Sequence, residues 1–263
     1  MSEITFDRVH AQLCQLKLQR MADYVDSVAQ EAAKHEWTYL AFLDRLLDLE
    51  ASARCERDVA MKTKLAHFPF FKTLDQFDFA FQPSVNERQI RELATMRFLE
   101  HGENVLLLGP PGVGKTHLAI ALGMAAIAQR NHVYFLTMVD LIEMLHKDAK
   151  EDRLGHRLRT LCRPKLLILD EMGYFPLDPM AARFLFQLVS RRYQRGSIIL
   201  TSNKSFGDWG DIFTDQILAT AILDRLLHHS TTITIRGHSY RLREKRRAGV
   251  FHDLTAPQQE AED

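Results

Sequence analysis

The chain has 263 residues, 46% hydrophobic and 26% charged, enough to bury a sizeable core in one large domain and leave room for a small one. No run approaches the roughly 18 apolar residues of a membrane span, and the N-terminus lacks the basic-then-apolar pattern of a secretory leader, so the expected localisation is cytoplasmic. Cys14, Cys55 and Cys162 are isolated, which excludes a disulfide framework or a paired-cysteine zinc site, and the net charge is zero, so charge informs only where it clusters.

From the N-terminus, residues 3–32 place Val9, Leu13, Leu16, Tyr24 and Val28 at three- and four-residue spacing, which predicts one helix face. Residues 38–66 repeat the pattern with Leu40, Leu43, Leu46, Leu47 and Leu49, entered from Thr38. Together they predict an all-helical N-terminal domain over 1–67, suited to binding a partner or DNA. Its basic residues Arg54, Arg57, Lys62 and Lys64, followed by Lys72, outnumber Glu56 and Asp58. Residues 68–83 form an aromatic connecting segment, with phenylalanines at 68, 70, 71, 77, 79 and 81, too apolar for a free linker. Ser84-Val85-Asn86-Glu87 reads as a capping box that opens a helix running to His101, with Gly102 as its stop.

Beyond Gly102 the pattern alternates. Strands are predicted near 104–108, 132–136, 165–170, 197–201 and 231–235, with helical stretches between. Continuous apolar strands separated by helices imply a parallel sheet covered on both faces, in which functional groups collect at the carboxyl ends of the strands.

The first strand runs directly into Gly109-Pro110-Pro111-Gly112-Val113-Gly114-Lys115-Thr116, which fits G-x-x-x-x-G-K-[ST]. Glycines at 109, 112 and 114 allow a bend tight enough for successive N–H groups to face phosphate oxygens. Lys115 can then reach the β- and γ-phosphates, and Thr116 offers a hydroxyl to Mg²⁺. The helix that follows adds the positive end of its dipole.

The third strand, Leu166 to Leu169, ends in Asp170-Glu171. An acid leaving a buried apolar strand is costly unless a cation meets it, which makes Asp170 the metal-side carboxylate. Glu171, one residue on, is expected to point elsewhere by strand alternation and to orient and deprotonate an attacking water. The fourth strand ends in Thr201-Ser202-Asn203, where the Asn203 amide suits sensing of a γ-phosphate. Arg225 lies on a predicted helix. It reads equally as a charge donated to a neighbouring subunit's γ-phosphate or as a surface residue paired with Asp224. A second basic run, Arg236, Arg241, Arg243, Lys245, Arg246 and Arg247, precedes an acidic, polar tail expected to be disordered over 250–263.

The run Gly109 to Thr116 with His117-Leu118-Ala119, Leu167 to Gly173 with Tyr174, Ser190 to Tyr193, Thr201-Ser202-Asn203, Trp209, Ala221 to His228 and Ser239-Tyr240-Arg241 resembles the IstB-like ATP-binding proteins. These are helper ATPases of insertion-sequence transposition, related to bacterial helicase loaders and replication initiators of the AAA+ class. The resemblance covers about residues 5–247. It implies a P-loop AAA+ three-layer α/β sandwich with a five-stranded parallel sheet over 84–249, and ATP and Mg²⁺ as cofactors. By resemblance His117 joins the nucleotide-binding set, Asn203 is sensor 1, Arg225 the arginine finger acting in trans, and Arg241 a second sensor. The segment after Arg225 is too short for the helical lid domain usual in the class, which implies closure of the nucleotide largely by a neighbouring subunit.

The implied partners are double-stranded DNA bound through its backbone, a transposase of the same element, and further copies of the chain as a homo-oligomer. Arg54, Arg57, Lys62, Lys64, Arg243, Lys245, Arg246 and Arg247 are the candidate DNA contacts. A replicative helicase loader shares the same ATPase core and stands as the alternative. A small-molecule kinase is disfavoured by Glu171, Asn203 and Arg225 together.

Overall fold

The computed structural model describes residues 3–213 and 215–247. Two compact units divide at Met61 and Lys62, rather than after residue 67, so the aromatic segment 68–83 belongs with the larger unit.

The first unit contains α1 (Glu3–Gln15), α2 (Gln19–Lys34) and most of α3 (Tyr39–Leu65). The single helix face expected over 3–32 is two helices. At the break, Lys17 takes φ 58° and Leu18 N–H donates to Leu13 O at 2.9 Å, the six-to-one bond of a left-handed helix stop. Lysine replaces the usual glycine there, and apolar spacing continues across the break. Met21, Val25, Val28 and Leu46 form the core, with Phe6, Val9, Leu13 and Trp37 around it. Glu50, 3% exposed, ties the unit together. Its carboxylate accepts from the N–H groups of Arg20 and Met21 in the first turn of α2, and from Arg54 and Arg57 on its own helix. Burial raises the Glu50 pKa, but the bonds from Arg54, Arg20 and Met21 outweigh it and hold the carboxyl below its ordinary value. Arg54 and Arg57 thus bind a buried acid while more than half of each side chain stays exposed.

In the second unit, α4 (Glu87–Leu93) and α5 (Arg97–His101) replace the single helix expected to His101. Met96 at φ 66° breaks it, and Gly102 at φ 68° ends α5. The cap of α4 is Asn86, whose side chain accepts from Gln89 N–H, and Ser84 bonds the backbone of Arg236 instead. Then follow β1 (Asn104–Leu108), α6 (Lys115–Ala128), β2 (Val133–Thr137), α7 (Met138–Lys150), α8 (Leu154–Cys162) and β3 (Leu166–Met172). After these come α9 (Pro179–Arg192), β4 (Ser197–Ser202), α10 (Gln216–Leu227), β5 (Ser230–Thr234) and α11 (Tyr240–Arg247).

The five strands are all parallel, in the order β2-β3-β4-β1-β5. β1, β3 and β4 are buried almost throughout, as strands covered on both faces must be. Alternation sends Leu106, Leu167, Leu169, Ile198 and Leu200 into one core with residues of α7 to α10. On the opposite parity Ile168 meets α6 at Gly123, where an added Cβ would stand 2.8 Å from the Ile168 side chain. Three layers result, with the glycine loop at the carboxyl end of β1. Among the described residues, no helix is long and apolar enough to cross a membrane.

Lys62 is buried, and its Nζ donates to Arg130 O at 2.7 Å, which removes it from the expected DNA-facing set. Lys64 is exposed. The side chains of Lys245, Arg246 and Arg247, and the tail 250–263, lie outside the described residues.

Arg192 at the end of α9 is 2% exposed and meets carbonyls rather than a carboxylate. It donates to Leu161 O, Pro164 O, Lys165 O and Ser197 O, joining the end of α8 to the entries of β3 and β4. Burial lowers its pKa to about 10, which leaves it charged at neutral pH. Arg192→Leu should lower unfolding free energy by about 3 kcal/mol, because the buried carbonyls lose their donor. A denaturant midpoint unchanged from wild type would show that the guanidinium is dispensable.

Candidate functional site

A cavity opens at the carboxyl ends of β1, β3 and β4. Its wall includes Gly112, Val113, Gly114, Lys115, Thr116 and His117 from the glycine loop and α6, Glu171 and Thr201 from the sheet, and Arg241 from α11. The remaining wall is the aromatic segment, with Phe70, Lys72, Gln76, Phe77, Asp78 and Gln82, together with Tyr174 and Tyr240.

The loop depends on glycine at two places where other chain presses against it. Gly112 has φ 81°, and an added Cβ would fall 2.1 Å from Ser239 Oγ. Gly114, the residue before α6, has φ 101°, and its Cβ would stand 2.7 Å from the Phe77 ring. The Lys115 ammonium donates to Gly109 O at 2.6 Å and Pro110 O at 2.8 Å, so the loop's own carbonyls hold it. Burial lowers its pKa, Asp170 and Glu171 oppose that shift, and Arg241 adds to it. Two cations therefore share one cavity, an arrangement that favours an anion between them. His117 Nε2 donates to Thr73 O at 2.9 Å, and its ring stands edge-on to Phe77. Burial depresses its pKa against the pull of that bond, favouring the neutral ring.

Asp170 is 3% exposed and accepts from Thr116 Oγ1 at 3.0 Å and Thr201 Oγ1 at 2.5 Å. Burial raises its pKa, opposed by those hydroxyls and by Lys115. A hydroxyl and a buried carboxylate side by side form a hard oxygen set of the kind Mg²⁺ accepts. The pairing of β3 with β4 shifts register between Leu169 and Met172, so Asp170 and Glu171 together oppose Thr201. Glu171 sits in that bulge at φ 65°, its N–H donating to Thr201 Oγ1 at 3.0 Å. Strand alternation would send the two acids to opposite faces. The bulge instead bonds Asp170 to Thr116 while Glu171 lines the same cavity.

Asn203 and Arg225 are not among the residues lining the cavity. The Asn203 Oδ1 is buried without a hydrogen-bond partner, 2.9 Å from where a Cβ on Gly173 would lie. Arg225 donates to Ala221 O at 2.9 Å, stacks over Phe186 at 4.8 Å and borders a shallow surface depression with Ile217 and Asp224. Arg243, expected to face DNA, is ion-paired with Asp78 at 2.7 Å and stacked over Phe81 and Tyr240, so its charge is engaged within the chain. Thr201 as the partner of Asp170 is not legible in the sequence. Its only signal was a hydroxyl residue at the end of a strand whose neighbour was unknown. The part of the aromatic segment as cavity wall is not legible either, although its density of phenylalanine is plain.

The fold and the site define a P-loop nucleotide-binding protein. The chain matches the family model described as IstB-like ATP binding protein over residues 11–248, and it belongs to that family. An insertion sequence IS21 protein of Pseudomonas aeruginosa, named for ATP binding, is 51% identical over 93% of this chain and 92% of its own length. An IS5376 counterpart from Geobacillus stearothermophilus is 50% identical over 91% of this chain and 96% of its own. Among solved structures, AMPPCP-bound DnaA from Aquifex aeolicus shares the fold with a TM-score of 0.54 at 17% identity, over 70% of this chain and 56% of that one. The DnaI structure does so with a TM-score of 0.52 at 18% identity, over 64% of this chain and 89% of that one.

Gly112→Ala should weaken ATP binding at least about tenfold, since the methyl group strains a left-handed position and displaces Ser239. Titration with a fluorescent ATP analogue measures this, and unaltered affinity would remove the bend from the binding site.

Proposed function

We propose that this protein hydrolyses ATP with Mg²⁺, assembles as a homo-oligomer on double-stranded DNA, and recruits or activates the transposase of its own insertion sequence. The observation that carries the ATPase reading is the bulge that brings Glu171 to the cavity wall beside Lys115 while Asp170 stays bonded to Thr116. Thr116 and Asp170 would hold the metal, which when bound neutralises charge on the β- and γ-phosphate oxygens. Lys115 leaves the carbonyls of Gly109 and Pro110 for phosphate oxygens, and Arg241 adds a second positive charge at the cavity wall. Glu171 accepts a proton from the water that attacks the γ-phosphorus. The new O–P bond forms as the bond to the bridging β–γ oxygen breaks, giving ADP and phosphate.

Asn203, buried beside Gly173 and outside the cavity lining, acts as a positioning group. Arg225 lies outside the lining of its own cavity and borders a surface depression, which supports its donation to the nucleotide of an adjacent copy. The insertion-sequence names of the relatives support a transposase partner. Arg54, Arg57 and Lys64 remain candidates for phosphate contact, the first two in spite of their bonds to Glu50, because their side chains stay largely exposed. No observation in this chain favours a helicase over a transposase as the recruited protein.

Glu171→Gln should retain ATP while turnover falls by roughly 10²- to 10⁴-fold, and it should hold the protein on duplex DNA with an affinity that drops steeply with salt. Unchanged phosphate release would take Glu171 out of the mechanism, and salt-insensitive DNA binding would refute backbone tracking. Arg225→Ala, inactive alone, should regain turnover when mixed with Lys115→Ala, because mixed interfaces pair an intact cavity with an intact arginine. Failure of that complementation in a size-verified mixed oligomer would assign Arg225 a structural part.

A further inference from the structure

Residues 78–84 and 236–243 run antiparallel and are joined at three rungs. Ser84 Oγ donates to Arg236 O at 2.8 Å and accepts from Arg236 N–H at 2.9 Å. Gln82 Nε2 donates to His238 O at 3.0 Å. Arg243 Nη1 donates to Asp78 Oδ2 at 2.7 Å, and its guanidinium lies 4.8 Å from the Phe81 ring and 5.4 Å from that of Tyr240. Between the second and third rungs the later segment touches the glycine bend: Ser239 packs on Gly112, and Tyr240 N–H donates to Gly112 O at 2.9 Å. Arg241, the next residue, lines the cavity.

The rungs differ in kind. The first two involve backbone next to β5 and fix where the segment leaves the sheet. The third alone joins two charged side chains, 26% and 34% exposed, and it lies on the far side of Tyr240 and Arg241 from the sheet. Released from Asp78, the start of α11 would keep Ser239 and Tyr240 on the glycine bend, the Gln82 rung and the edge-on contact of Tyr240 with Phe81, and would lose its charged tie. Arg241 would then lose its fixed direction toward the cavity.

We infer that Asp78 and Arg243 are positioning residues for the nucleotide. Their ion pair clasps Tyr240 and Arg241 against the glycine bend, and so sets how long ATP stays bound. The clasp rests on the reading of this cavity as the ATP site. It places within a single chain part of the closure that the class usually draws from a lid.

Dissociation of a fluorescent ATP analogue from the full chain, followed by stopped flow after mixing with excess ATP, tests it. Asp78→Asn and Arg243→Gln should each release nucleotide on the order of 5- to 10-fold faster, with association rates within about twofold of wild type. The double variant should be no faster than the faster single variant, because both substitutions break one contact. Added salt should speed release from wild type more steeply than from the double variant, in which only the attraction of Lys115 and Arg241 for the nucleotide is left to screen. Release rates equal to wild type would overturn the inference, as would additive effects or a salt response in the double variant as steep as that of wild type. Wild type that bound no analogue would instead refute the nucleotide reading itself, with Lys115→Ala as the reference for absent binding.

Discussion

One buried carboxyl group organises the site. Asp170 accepts hydroxyl bonds from Thr116 at the start of α6 and from Thr201 at the end of β4, so a single side chain on β3 ties together the helix and strand that carry the chemistry. A carboxylate so deeply enclosed is unstable without donors or a cation. The hydroxyls satisfy it in part, and the ammonium of Lys115 lies near enough to offset burial further. Removal of either threonine would leave the acid with one hydroxyl donor and a larger part of its burial to be offset by Lys115.

The β-bulge follows from the same constraint. With Asp170 fixed by two hydroxyls, the next residue of a regular strand would turn to the opposite face, away from the nucleotide. The extra residue opposite Thr201 redirects the chain, and Glu171 takes a left-handed conformation that non-glycine residues seldom adopt. Two adjacent acids then belong to one site, one bonded to Thr116 and Thr201 and the other at the cavity wall. The backbone strain is offset by the bond from Glu171 N–H to Thr201.

Closure of the cavity shows a second economy. Among the described residues, only β5 and α11 follow α10, yet the cavity is walled by the aromatic segment on one side and the residues around Tyr240 on the other. Phe77 presses on Gly114 and Ser239 on Gly112, so both glycines are required by covering groups as well as by the bend. Closure expected largely from a neighbouring subunit is supplied in part by the chain itself, while Arg225 remains on the outer surface of α10.

Local chemistry made much of this legible in the sequence. The phosphate loop, the five strands and the acids at the end of β3 each follow from apolar runs, glycine spacing and the cost of a buried charge, all properties of contiguous residues. Helix breaks at Lys17 and Met96 were hidden, because a left-handed stop needs no glycine when flanking contacts fix it. Lys62 and Arg243 looked like solvated cations until the fold supplied the Arg130 carbonyl and Asp78. The tertiary structure alone decided that β4 lies beside β3, and therefore that Thr201 meets Asp170 and the bulge turns Glu171 to the cavity. Strand order and the packing of distant segments are set by long-range burial, which no local pattern encodes.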